Sequence, residues 1–173
     1  MRHKKIIKNN FLVVIIIFLL IGCVTQNKDD CLSEVDKMKS KVNFRNSGLD
    51  SEEVEIFFCK IKRMIDKNLK EELSEIIFYP QEVVIDNKWM VINTKEDFIK
   101  HYNDIINEYV KSTVMNQRYS DLFSTSSGVM IGEGGAIWIT KDMEKGKMYI
   151  FKINNISPYL KQPTNKKSIK IKP

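Results

Sequence analysis

The residues best able to hold a metal in this 173-residue chain are Cys23, Cys31, Cys59, His3 and His101. A structural zinc site takes four such ligands in short pairs, and no two of these residues stand that close. No metal or cofactor is expected. Ser124, Ser126 and Ser127 offer hydroxyl nucleophiles, but no G-x-S-x-G surrounds them and His101 is the one histidine beyond His3, so they read as a solvated loop. Gly132-Glu133-Gly134-Gly135 lacks the Lys-Ser/Thr and following helix of a phosphate loop and reads as a turn. His101 lies between the apolar positions Phe98 and Tyr102, at the border of a buried face or partly exposed on a helix. A working base there would also need a pocket and a positioned partner.

The N-terminus carries the sharpest pattern. Arg2, His3, Lys4, Lys5 and Lys8 precede an unbroken apolar run, Phe11 to Ile21, that ends at Gly22-Cys23. As a helix, these 11 residues would be roughly 17 Å long, short of the roughly 30 Å hydrocarbon core of a bilayer. Leu20-Ile21-Gly22-Cys23 resembles the lipobox of bacterial lipoproteins. The resemblance implies a signal peptide over 1–22, cleavage before Cys23, and palmitate-type acyl chains on that cysteine. Two or more acyl chains anchor stably where one holds marginally. The implied location is the cell membrane or the outer membrane, with the domain facing periplasm or exterior. Val24 stands where Asp would favour inner-membrane retention, so the outer membrane is expected in a two-membrane cell.

Export makes a disulfide between Cys31 and Cys59 chemically available. The alternative is two free thiols, with Cys59 packing as a small hydrophobe in EIFFCKI. The formal charge of +6 suggests nucleic acid until it is located. Residues 1–22 and 161–173 hold nine basic and no acidic residues, which leaves 19 basic against 22 acidic between them. A fold carrying −3 is no phosphate-binding surface. Nucleic acid is therefore excluded as a partner, while the basic tail 161–173 reads as a solvated terminus or a weak contact for anionic polymer or headgroups.

Residues 23–49 read as the lipidated cysteine and a polar tether, in which Leu32, Val35, Met38 and Val42 could form a short helix. One domain is expected over 50–160. Asp50 and Glu53 suggest a capping box, followed by Val54, Phe57, Phe58, Ile61, Ile65 and Leu69 at helical spacing. KEELSEII gives a second short helix before Pro80. EVVIDNKWMVI suggests a hairpin around Asp86-Asn87-Lys88. Thr94 and Asp97 open a third helix with the face Phe98, Tyr102, Ile105, Ile106 and Tyr109. GVMIG, AIWIT and KMYIFKI then make three strands, and the order implies an α+β domain with helices on one face of an antiparallel sheet.

The span 50–156 resembles the NTF2-like, or SnoaL-like, superfamily through its FFCKIKRMID helix, FYP turn, INTKEDFIKHY helix entry and GVMIGEGGAIWI strands. A cystatin-type fold would give a similar element string. The resemblance implies a cone of helices packed into a curved sheet, whose enzymes use Asp, His or Tyr inside it. The matching pocket candidates here are His101, Tyr102, Tyr119 and Asp121, with Trp138 among the aromatics that fill the sheet or line its mouth. The expected function is an envelope lipoprotein with a non-enzymatic domain that binds a ligand or an envelope protein or polymer partner. The alternative is a small pocket enzyme of isomerase, dehydratase or hydrolase type.

Overall fold

The computed structural model describes residue 31, residues 42–161 and residue 163. The signal peptide, Cys23, most of the tether and nearly all of the basic tail lie outside the described residues. No helix among the described residues is long and apolar enough to cross a membrane.

Within them the protein is an α+β fold with five α-helices and two antiparallel sheets. Helix α1, Ser51–Asp66, begins at Asp50, whose carboxylate accepts the Glu52 and Glu53 amides at 2.9 and 3.1 Å. These are two of the donors a helix start leaves without intrahelical partners. The reciprocal half of the expected capping box is absent, because the Glu53 carboxylate accepts from Lys141 Nζ at 2.6 and 2.7 Å. Val54, Phe57, Phe58, Ile61, Met64 and Ile65 form the buried stripe of α1. Helix α2 is Lys70–Ser74, shorter than the apolar spacing suggested.

Strands β1, Gln81–Ile85, and β2, Lys88–Ile92, pair antiparallel with Ile85 opposite Lys88. Asp86 and Asn87 at φ +50° and +59° form a two-residue turn of the kind that matches strand twist. The expected third helix is broken into α3, Lys95–Lys100, α4, Tyr102–Ile105, and α5, Glu108–Asn116. His101 closes α3 with φ −105° and ψ 18°. Asn107 restarts the helix by accepting the Val110 amide at 3.2 Å.

Four strands follow: β3, Phe123–Thr125, β4, Gly128–Ile131, β5, Ile137–Asp142, and β6, Lys147–Ile153, in the order β3-β4-β5-β6. Strand β3 was expected as loop; Ser124 lies in it opposite Val129, and Ser126 and Ser127 make the turn. The inner face of this sheet presents Val129, Ile131, Ile137, Ile139, Ile150 and Ile153 to the helices, and all are buried. The packed fold starts before position 50. Phe44 and Leu49 are buried, and Phe44 sits edge-on to Tyr119 at 5.9 Å.

Two buried amides join the sheets. Gln81 donates to the Phe78 and Phe151 carbonyls and accepts the Ile153 amide at 3.0 Å. Asn155 accepts the Val84 amide at 2.9 Å and donates to the Val84 carbonyl at 2.6 Å and the Asp104 carbonyl at 3.0 Å. These side chains take the place of a backbone ladder between β1 and the end of β6. The remaining edge of β6 is covered by Ile76–Phe78, through a parallel bridge from Ile77 to Ile150.

Candidate functional site

The five pocket candidates do not converge. Tyr119 is 1% exposed, packs against Phe44 and Phe58, and donates its hydroxyl to the Ser51 carbonyl at 2.7 Å. Burial, with Glu55 next, pushes its phenol up to about 12. That is the chemistry of a structural hydroxyl, since an ionised phenolate is disfavoured there. Tyr102 is buried edge-on to Phe98 at 5.8 Å, and desolvation raises its pKa. Its hydroxyl has no hydrogen-bond partner. His101 is partly exposed, with Nδ1 3.5 Å from the Asp104 carboxylate. Asp121 is exposed beside Arg118 at 4.0 Å and accepts from Ser120. It lines a surface cleft of about 570 Å³ with Thr113, Gln117 and Glu133.

Trp138 is on the other side of the sheet from the two tyrosines. Its strand neighbours Ile137 and Ile139 point inward and are fully buried, so alternation turns the indole outward. Register places Phe123, Met130, Trp138 and Lys152 in one row across β3, β4, β5 and β6. A register shift between Trp138 and Ile139 brings Phe151 to 6.1 Å from the Trp138 ring. Gly128 gives Phe151 its space, because a Cβ there would lie 3.1 Å from that ring. Tyr149, opposite Thr140, stacks on Phe78 at 5.4 Å. Phe78 and Phe123 are 58% and 57% exposed, a level at which large aromatics mark a surface available to a partner when they lie together.

Beside this face, a cleft of about 460 Å³ opens between the hairpin and β6, lined by Glu82, Trp89, Lys152, Asn154 and Pro158 among others. The Trp89 indole donates to the Pro163 carbonyl at 3.3 Å. The segment after β6 is latched to the Gly132–Gly135 turn, where Tyr159 donates to the Glu133 carboxylate and Tyr109 to the Glu133 carbonyl, each at 2.6 Å. The Glu133 hydrogen bond is the main cause of the raised Tyr159 pKa. Glu82, Lys152 and Asn154 were not singled out from the sequence. Their only signal is the register that sets Lys152 beside Trp138.

Cys31 and Cys59 form a disulfide, with Cα atoms 5.4 Å apart. Of the two alternatives left open by the sequence, the structure takes the bridge. Among the described residues no group of three or more His, Cys, Asp and Glu is placed to hold a metal. Comparison with protein-family models, curated proteins and solved structures finds no match to this chain.

Proposed function

We propose that the chain is a membrane-anchored envelope lipoprotein whose NTF2-like domain binds a ligand or protein partner without catalysing a reaction. The reading rests chiefly on one observation: the concave side of the sheet is filled. Phe58, Ile61, Phe98, Ile105, Val114, Ile131 and Ile139 are all fully buried there, which leaves the His, Asp and Tyr candidates no common chamber. A cone enzyme needs an acid and a base facing one substrate. Here Tyr119 bonds to Ser51, and His101 and Asp121 lie at separate surface positions.

The cone reading draws on the joint at Gln81 and Asn155. It extends the four-stranded sheet into the order β2-β1-β6-β5-β4-β3, wrapped around α1. The aromatic outer face and the adjacent cleft are the surfaces that supply binding, since desolvated aromatics commonly dominate interface energy. One observation favours the enzyme instead: the unpartnered Tyr102 hydroxyl, a buried polar group of the kind a substrate could satisfy.

Cross-linking in intact membranes, followed by mass identification of what is captured, tests the binding reading. Phe78→Ser with Phe123→Ser should abolish capture while His101→Ala and Asp121→Ala leave it intact. Substrate turnover lost in folded Tyr102→Phe or His101→Ala would replace this reading with the enzyme.

A further inference from the structure

We infer that the Cys31–Cys59 disulfide is a leash-shortening staple, which confines the domain's work to a partner at or near the membrane surface. The inference rests on the proposed lipid anchor at Cys23 and goes beyond it by saying how far the anchored domain reaches.

Without the bridge, the covalent path from Cys23 to the packed fold runs 19 residues, to Val42, whose carbonyl accepts the Ser51 hydroxyl at 2.7 Å. The bridge creates a second path. Cys31 is tied directly to Cys59, inside α1 and packed against the core. That path is eight residues long. At full extension, about 3.5 Å per residue, the limit drops from roughly 66 Å to roughly 28 Å. As a flexible chain the mean reach drops from about 24 Å to about 16 Å. Residues 32–41 lie inside the loop that the bridge closes, so they contribute nothing to the reach while it is intact.

The position of the bridge carries this argument. A staple that served stability alone could join any two parts of the fold. This one joins a helix of the core to the chain eight residues beyond the lipid-bearing cysteine. An unstapled tether of 19 residues would let the domain contact distant envelope polymer. The stapled one restricts it to membrane-embedded or membrane-surface partners. Exported proteins occupy the oxidising compartment that keeps such a bridge formed.

The test uses the full lipidated chain on vesicles containing a dansylated lipid, with Ile56→Trp as energy donor on α1. Ile56 is 62% exposed, so the change leaves the core untouched. The parent protein supplies the baseline from Trp89 and Trp138. Ten Gly/Ser residues inserted after Lys28 lengthen the short path and should increase the mean donor distance about 1.5-fold, with a matching fall in transfer. The same ten residues inserted after Asp36, inside the closed loop, should change nothing while the bridge is intact. After Cys31→Ser with Cys59→Ser, the Asp36 insertion should lower transfer. Because neither insertion disrupts the bridge, their comparison stands even if the double serine variant folds poorly.

Equal effects of the two insertions in the bridged protein would overturn the leash while leaving the anchor standing. Failure of the parent protein to float with the vesicles would overturn the anchor, and the leash with it.

Discussion

Replacing Asn155 by Ala should destabilise the domain more than any other change to a single polar side chain outside its cysteines. Asn155 is 4% exposed, and its amide holds the Val84 N–H, the Val84 carbonyl and the Asp104 carbonyl at once. Alanine strands all three. A buried polar group left without a partner costs about 1–3 kcal/mol, less where water can replace the lost contact. Val84 is only half-buried, so the expected sum is about 3 kcal/mol. For a fold of 120 described residues this corresponds to a fall in Tm of roughly 10–15 °C, measured by thermal unfolding.

Asn155→Asp sharpens the test. Its carboxylate can still accept the Val84 amide, but it faces two carbonyls that need donors, so its pKa in the fold rises above the unfolded value. The native state then holds the extra proton. Stability of this variant should be highest below about pH 4, and should be lost as pH rises through the folded pKa. An Ala variant that loses under about 1 kcal/mol, or an Asp variant that gains stability from pH 4 to 7, would refute the claim that this amide joins the sheets.

Gly128→Ala should cost about 2–3 kcal/mol by denaturant unfolding, since φ is +143° and the new Cβ would meet the Ile139 carbonyl oxygen at 2.2 Å; a neutral result would mean that β4 can shift away from β5. At high pH the native state keeps the Tyr119 proton longer than the unfolded chain does, because burial raises its pKa to about 12. Stability should therefore be complete below about pH 10 and fall as pH climbs towards 12, with tyrosinate absorbance appearing later in the folded protein than in denaturant. Tyr119→Phe, which removes the hydrogen bond to Ser51, should cost about 1 kcal/mol and flatten that dependence.

What could be read from the sequence follows the range of the interactions involved. The α1 stripe, the Asp86-Asn87 turn and strands β4, β5 and β6 depend on neighbours a few residues apart, and apolar spacing located all of them. Strand β3 depends on pairing with β4, and its Phe123-Ser124-Thr125 carries no strand-like run of its own. The breaks at His101 and Asn107 were hidden because Phe98, Tyr102, Ile105 and Ile106 keep a helical period across both interruptions. The joint at Gln81 and Asn155 links positions more than 70 residues apart, and nothing local marks an amide that will bond to a distant backbone.

The candidate site divides the same way. Cys31 and Cys59 were visible as a pair, because export and residue count suffice to suggest a bridge. His101, Tyr102, Tyr119 and Asp121 were grouped by residue type, and the fold separates them because each belongs to a different layer or edge. The outer-face row from Phe123 to Lys152 needed strand register, which composition does not contain.

The account stands most directly on the intact mass of the protein purified from membranes, read with and without reduction. It predicts a chain that begins at Cys23, carries diacylglycerol-type lipid on that residue, and gains two hydrogens on reduction of the Cys31–Cys59 bridge. A mass matching the unprocessed chain, or a chain starting at Cys23 without lipid, would contradict it.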